Sequence, residues 1–257
     1  MPVNGKPRDE GAVAVVTGAS RGIGAGIARE LGARGYRVVV NYRSRVEAAE
    51  ALVAEIEQAG GTAAAEPGDV CDERQARALI DRTVERFGAV DVLVCNANVG
   101  APRGDIQEIE WDVFSDKLRN ELAAAFHPTR AVLPRMAEAG SGRIIYITSG
   151  AAQGPANPGM AAHGVAKAAL NAYARYVART AAPLGIGVNV VSPGLVRTEA
   201  TAELPAELFD SFVARIPKGR AGEPEDIGRV VAFLAGEDSD YLIGSLIPLN
   251  GGSDLGR

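Results

Sequence analysis

The chain has 257 residues, 47% of them hydrophobic and 23% charged, which is enough apolar sequence to bury a sizeable core. Its formal net charge is −5 and no run of lysines and arginines occurs, so nucleic acid and membrane surfaces are not expected as partners. The two cysteines and two histidines have no spacing typical of a metal site or a disulfide framework, and no bound metal is expected.

Signal peptides and membrane spans need long apolar stretches that this sequence lacks. The first residues mix polar and apolar types, and nowhere do about 18 apolar residues run together. We therefore expect a cytoplasmic protein that acts on a small-molecule substrate, with residues 1–10 as an N-terminal tail.

Short runs rich in Val and Ile alternate with longer segments in which apolar residues recur at three- and four-residue steps, as in 46–60. Several of the short runs are apolar throughout, which is typical of parallel strands covered on both faces. This pattern predicts one α/β domain over residues 1–257, built on a Rossmann-type doubly wound parallel sheet of about seven strands. The predicted strands lie at 12–18, 36–42, 62–70, 90–97, 143–149, 187–194 and 244–252.

The first predicted strand runs into the segment TGASRGIG, in which Gly18, Gly22 and Gly24 precede a long predicted helix. Glycine lets the backbone turn sharply and approach a pyrophosphate closely, and a helix N-terminus offers unpaired N–H groups to an anion. Glycine clusters also occur in ordinary tight turns, but the position between a first strand and a helix favours dinucleotide binding.

The choice of dinucleotide depends on the end of the second strand, which reads Asn41-Tyr42-Arg43-Ser44. An NAD site places an acidic residue about 20 positions beyond the glycines, where it binds the ribose 2′-hydroxyl group. No carboxylate stands here, and Arg43 together with Arg21 of the glycine turn could bind a 2′-phosphate group. The sequence therefore predicts NADP(H), and two merely solvated arginines are the alternative.

Three polar residues in the second half of the chain share a region of the predicted fold. Ser149 ends the fifth predicted strand, and Lys167 lies in the first turns of a predicted helix. His163 stands four residues before the lysine, on the same face of that helix. Further on, the irregular insertion at about 195–222 is expected to form a substrate-binding lid with a short helix at 205–216. Its apolar side chains are Leu195, Leu204, Leu208, Phe209 and Phe212.

Taken together, these motifs resemble the short-chain dehydrogenase/reductase family over about residues 10 to 254. TGASRGIG matches the family's glycine motif, GDV at 68–70 looks like its adenine-contacting segment, and SPGLVRT at 192–198 looks like its nicotinamide loop. The residues that the resemblance assigns to the cofactor are Gly18, Ser20, Arg21, Gly22, Ile23, Gly24, Asn41, Tyr42, Arg43, Ser44, Asp69, Val70, Asn96, Ala97, Lys167, Pro193, Gly194, Val196 and Thr198.

The resemblance also implies a catalytic set. Ser149 would polarise a carbonyl oxygen, Lys167 would hold the nicotinamide ribose, and Asn120 would anchor a water chain to the lysine. Asn98 stands where the family has glycine in the turn after the fourth strand. Because asparagine adopts the left-handed conformation at modest cost, we expect that turn to be kept.

The main departure from the family is His163, which takes the place of the proton-donating tyrosine. No tyrosine of this chain has a lysine four residues further on, and Met160 stands where enoyl-reducing relatives carry theirs. The ordinary pKa of imidazole is about 6.5, and the Lys167 ammonium should lower it, so the ring is expected to be mostly neutral at pH 7. A neutral imidazole can still donate one hydrogen bond to a developing oxyanion. A histidine that only packs is the alternative.

Three functions stay open at this point. The first is an NADPH-dependent ketoreductase that acts on a carbonyl of a hydrophobic, acyl- or polyketide-like substrate, with His163 in the catalytic set. The second is reduction of a conjugated C=C bond, which demands less of the acid, and the third is a catalytically silent NADP-binding scaffold or partner subunit. Helices at 115–136 and 160–183 are rich in Ala, Leu and Val, and the resemblance implies that they form a homotetramer or homodimer.

Overall fold

The computed structural model describes residues 11–154 and 158–255, and its seven strands belong to one sheet. The predicted tail at residues 1–10 lies outside the described part. The strands are β1 (Val13–Val16), β2 (Arg37–Tyr42), β3 (Thr62–Pro67), β4 (Val92–Cys95), β5 (Gly142–Ile147), β6 (Ile186–Pro193) and β7 (Leu246–Leu249).

The sheet order is β3-β2-β1-β4-β5-β6-β7, and every neighbouring pair is parallel. This order confirms the predicted doubly wound Rossmann-type architecture. All seven predicted strands occur, each within a few residues of the expected bounds. Their Val- and Ile-rich composition suits a sheet that is covered on both faces.

Helices connect the strands and cover both faces of the sheet. The described residues form α1 (Gly22–Ala33), α2 (Val46–Gln58), α3 (Glu73–Phe87), α4 (Trp111–Ala139), α5 (Ala161–Ala181), α6 (Glu199–Ala202), α7 (Ala206–Val213) and α8 (Pro224–Ala235). The predicted helices at 46–60, 115–136, 160–183 and 205–216 correspond to α2, α4, α5 and α7. None of the helices in the described ranges is long and apolar enough to cross a membrane.

Two apolar cores lie on opposite faces of the sheet, and alternate residues of β1 enter different cores. Val16 packs with side chains of α1, α2 and α8, whereas Val15 packs with side chains of α3, α4 and α5. Both valines are completely buried. This double cover fixes the carboxyl ends of the strands at one edge of the sheet.

The direction of the chain across the sheet reverses between β1 and β4, which are neighbours. In an open parallel sheet, loops from such a pair of strands diverge and leave a crevice at their carboxyl ends. Here the loop after β1 carries the glycine turn, and the loop after β4 begins with Asn96 and Ala97. The fold therefore positions the candidate site at this edge.

Candidate functional site

The glycine turn joins β1 to α1 through two left-handed residues, Gly18 with φ of 60° and Gly22 with φ of 53°. A Cβ atom on Gly18 would lie 2.9 Å from the Cα atom of Ala97, so the turn packs directly on the loop after β4. Arg21 is the N-cap residue of α1, and no described side chain caps the helix there. The first N–H groups of α1 are therefore available to an anionic ligand.

Two side-chain carboxamides, one buried and one half-buried, hold the glycine turn in place. The Asn41 side chain accepts a hydrogen bond from the Gly18 backbone N–H (3.2 Å) and donates to the carbonyl oxygens of Glu66 (3.2 Å) and Gly68 (3.1 Å). Asn96 donates through Nδ2 to the carbonyl oxygen of Gly18 (3.1 Å) and to that of the preceding threonine (2.9 Å). Asn41 is 1% exposed, and its amide forms hydrogen bonds to backbone groups of the protein. It therefore stabilises the backbone at the cofactor end of the site.

The exposed side chains at the end of β2 are cationic. The Arg43 guanidinium is 65% exposed and lies 3.7 Å from a carboxylate oxygen of Asp69. Arg21 and Arg45 line the same side of the cavity. Arg45 was not part of the sequence prediction, although it follows Arg43 by two residues. Three guanidinium groups at this edge favour a phosphate over a bare hydroxyl group.

One cavity of about 670 Å³ brings almost all of the predicted site residues together. It is lined by each of the predicted cofactor residues from Gly18 to Thr198, and by Ser149 and His163. Asn120 does not line it. The cavity is also lined by residues that the sequence had not assigned to the site: Arg45, Gly68, Cys71, Asn98, Val99, Gly100, Ala101, Arg103, Ile147, Thr148, Met160, Glu199, Ala200, Thr201 and Glu203.

Ser149 and His163 both line this cavity. The Ser149 hydroxyl follows β5 and accepts a hydrogen bond from the Ala151 backbone N–H (3.2 Å), which leaves its own O–H group to donate elsewhere. His163 is 6% exposed, and its Nδ1 atom has no hydrogen-bond partner in residues 11–154 and 158–255. Burial, with help from the Lys167 and Lys117 ammonium groups, lowers the pKa of His163 to about 4. The ring is therefore neutral at pH 7, as the sequence predicted, but burial is the larger cause.

Lys167 lies one helical turn after His163 and is almost completely buried. Its Nζ atom donates to the carbonyl oxygen of Ile147 (2.9 Å) and forms an ion pair with Oε1 of Glu121 (2.5 Å). The other carboxylate oxygen of Glu121 pairs with Nζ of Lys117 (2.5 Å). Although burial acts to raise it, the pKa of Glu121 is lowered because the two ammonium groups stabilise the carboxylate.

Within the described residues, Asn120 makes no direct hydrogen bond to Lys167. The residue of α4 that reaches Lys167 is Glu121, one position later. Successive residues of a helix point about 100° apart, so a step of one residue turns the side chain to another face. Asn120 is half-buried there, and its backbone carbonyl oxygen lies 3.5 Å from the Cys71 thiol. The water chain expected between Asn120 and the lysine stays a prediction.

The prediction for Asn98 was wrong. No non-glycine residue in the described ranges has a positive φ, so Asn98 is not left-handed. Its Oδ1 atom instead accepts a hydrogen bond from Nζ of Lys117 (2.9 Å), and Gly100 provides the positive φ of 60° in this loop. The side chain thus contributes to the ion-pair network rather than to the turn.

The helix predicted within the insertion is confirmed, and the role of the insertion as a substrate-binding lid stays a prediction. The helix α7 forms within the insertion, but none of its five predicted apolar side chains lines the cavity as described. Phe209 packs under the Arg197 guanidinium, 4.9 Å from the ring centroid. On this side the cavity is lined by Val196, Thr198, Glu199, Ala200, Thr201 and Glu203.

The fold and this edge of the sheet are those of a doubly wound α/β oxidoreductase. A family model described as enoyl-(acyl carrier protein) reductase matches residues 18–254. The 3-oxoacyl-(acyl-carrier-protein) reductase FabG of Staphylococcus aureus is 39% identical over 243 residues, 93% of this chain and 96% of that protein. The cis-4-hydroxycyclohexanecarboxylate dehydrogenase of Sinomonas cyclohexanicum is 36% identical over 241 residues, 93% of this chain and 95% of its own.

Solved structures show the same relationship. A short-chain dehydrogenase from Burkholderia cenocepacia in complex with NADP has a TM-score of 0.89 and 34% identity, covering 96% of this chain and 99% of its own. A dehydrogenase/reductase from Sinorhizobium meliloti has a TM-score of 0.89 and 35% identity, covering 95% and 96%. The chain belongs to the short-chain dehydrogenase/reductase family.

Proposed function

We propose that this protein is an NADPH-dependent reductase of a substrate carbonyl group, with His163 in the position of the family's catalytic tyrosine. The observation that supports it most directly is the single cavity that contains the glycine turn, the Arg43 guanidinium and the side chains of Ser149, His163 and Lys167. Residues 1–257 would act as one NADP-binding domain, with 195–222 as its lid.

The residues of the cavity fit an NADP molecule. Gly22 is left-handed, and a Cβ atom there would point at Thr198 at 3.4 Å, so glycine keeps open the space beside the uncapped start of α1. The pyrophosphate would bind to the N–H groups of that helix end. Arg43 and Arg21 would bind the 2′-phosphate group, and the adenine would lie near Asp69. The NADP complex of the Burkholderia relative supports this assignment.

The reacting centre would work through three side chains. When bound, the nicotinamide supplies a hydride to the carbonyl carbon. Ser149 donates its free O–H group to the carbonyl oxygen and polarises it. His163, which is neutral at pH 7, donates one N–H group to the same oxygen as negative charge develops there. Lys167 would hold the ribose, and a water would supply the proton of the product alcohol, either directly or by protonating the second nitrogen of His163 as its N–H proton passes to the alkoxide.

A hydrophobic acyl- or polyketide-like substrate is our first choice. Support comes from the FabG relatives, whose name specifies a 3-oxoacyl substrate, and from the apolar side chains of Val99, Ala101 and Met160 in the cavity lining. The lid's apolar residues would reach such a substrate only if the lid changed its position.

Reduction of a conjugated C=C bond is the second candidate. The family model that matches residues 18–254 is described as an enoyl reductase. In this reaction hydride adds to the β-carbon, and the protein need only stabilise an enolate. A neutral imidazole that donates a hydrogen bond is sufficient for that task.

We also propose that the protein is a homotetramer or homodimer that buries α4 and α5. Phe126 on α4 is 42% exposed, and Val165 and Tyr176 on α5 are 46% and 78% exposed. Exposed aromatic and branched side chains on neighbouring helices are typical of subunit contacts.

The test of the proposed function is NADPH oxidation against a matched panel of 3-oxoacyl thioesters, cyclic ketones and the corresponding enones. Turnover of ketones supports carbonyl reduction, and turnover of enones alone would favour the second candidate. Tight NADPH binding without turnover of any member would indicate a silent scaffold and contradict both.

A further inference from the structure

A buried network of three charges lies behind the cavity wall, and the proposed chemistry does not use two of its members. Glu121 stands between Lys117 and Lys167, with N–O distances of 2.5 Å to each. The side chains of Lys117 and Glu121 are 1% exposed and that of Lys167 is 4% exposed. Neither Lys117 nor Glu121 lines the cavity, so neither can touch a ligand there.

The two lysines of the network differ in how many of their N–H donors have an acceptor. An ammonium group has three N–H donors. Those of Lys117 have three acceptors: Glu121, the Asn98 side chain (2.9 Å) and the Val99 carbonyl oxygen (3.3 Å). Lys167 has two acceptors, the Glu121 carboxylate and the Ile147 carbonyl oxygen, and it alone of the three lines the cavity. Among residues 11–154 and 158–255, one N–H donor of Lys167 therefore has no acceptor and remains for a ligand.

We propose that Glu121 is a positioning residue for the cofactor ribose, acting through Lys167. Glu121 orients Lys167 and balances its charge, while Lys117 adds a second positive charge at the other carboxylate oxygen. This inference rests on the proposed function, since it takes NADPH as the ligand of the cavity. In this proposal the Glu121 carboxylate contacts Lys167 directly, whereas the sequence had predicted a water chain from Asn120.

Charge balance explains why the two buried ammonium groups need Glu121. Lys167 faces Glu121 and Lys117 from α4, His163 from its own helix and the Cys95 thiol from β4. Glu121 is the one carboxylate in this group, and the pKa of Lys117 is already lowered by burial. With a neutral residue at 121, two ammonium groups would share a buried site, and one of them would lose its proton near neutral pH.

The experiment compares four variants of the full chain by NADPH fluorescence titration between about pH 7 and about pH 9. In Glu121→Gln the amide can still accept a hydrogen bond, but the charge is gone. We expect NADPH to bind about tenfold more weakly or worse, because a neutral Lys167 offers the ribose no charge-assisted hydrogen bond. This loss of affinity should grow as pH rises. Lys117→Met alone keeps the Glu121–Lys167 pair and should bind within about threefold of the parent.

The double variants separate charge from packing. Lys117→Met with Glu121→Gln removes the second ammonium, so binding should recover to within about threefold of the parent and lose its pH dependence. Lys117→Met with Glu121→Leu also removes the hydrogen-bond acceptor of Lys167, so this variant should still bind NADPH weakly. If Glu121→Gln does not fold, the comparison of these two double variants decides the question.

Two results would overturn the inference while leaving the proposed function intact. One is that Glu121→Gln binds NADPH with the parental affinity across the pH range. The other is that Lys117→Met with Glu121→Gln binds NADPH no more tightly than Lys117→Met with Glu121→Leu. A parent protein that does not bind NADPH would refute the proposed function and this inference together.

Discussion

Acidification provides a test of the state of His163 in the folded protein. The structure lowers its pKa from 6.5 to about 4, first through burial and then through the lysines. Between these values the unfolded chain binds a proton that the folded chain does not, so stability falls as pH falls. From pH 7 to pH 5 this single group should remove about 2 kcal/mol from the free energy of unfolding.

The assay is urea unfolding of the protein without cofactor at both pH values and one protein concentration. His163→Phe and His163→Asn both delete the titration, the first with an apolar ring and the second with a polar side chain. On acidification, the free energy of unfolding of each variant should fall by about 2 kcal/mol less than that of the parent, whatever the stability of the variant at pH 7. If the parent and both variants lose the same amount, His163 is not a buried neutral base and the description of the site is wrong.

Three further outcomes are expected. The parent should bind NADPH at least tenfold more tightly than NADH, about 1.4 kcal/mol, and Arg43→Ala should remove much of that gap by weakening NADPH while sparing NADH in parallel titrations. Lys167→Ala should weaken NADPH binding and reduce turnover together, because its last N–H donor is assigned to the ribose; a loss confined to turnover would contradict this. Light scattering at micromolar concentration should show a dimer or tetramer, and a monomer would refute the proposed contact through α4 and α5.

Much of the fold could be predicted from the sequence because its signals are local. β1 and β4 are apolar throughout, and each predicted strand needed only a short run and a flanking turn to be recognised. The glycine turn was predictable for the same reason, since Gly18 and Gly22 both adopt the left-handed backbone that glycine tolerates best. Ser149 and Lys167 followed from the ends of elements whose positions the pattern already indicated.

What the sequence did not reveal depends on side chains that meet across the fold. Lys117 and Glu121 have the spacing of an ordinary exposed ion pair on a helix, and only burial of α4 against α5 turns them towards Lys167. Asn98 looked like a turn residue because its buried partner, Lys117, is distant in sequence. A spacing of four between opposite charges was the available signal, but it does not distinguish a solvated helix face from a buried one.

The central claim is that His163 acts at the reacting centre, and replacing its ring tests that claim most directly. His163→Phe keeps an aromatic side chain but removes both nitrogen atoms. With a carbonyl substrate that the parent reduces, turnover should fall about 10²-fold or more, the scale of a lost oxyanion donor, while NADPH affinity stays within about twofold. Reduction of that substrate by His163→Phe at the parental rate would contradict the account, because the imidazole would then be only part of the cavity wall.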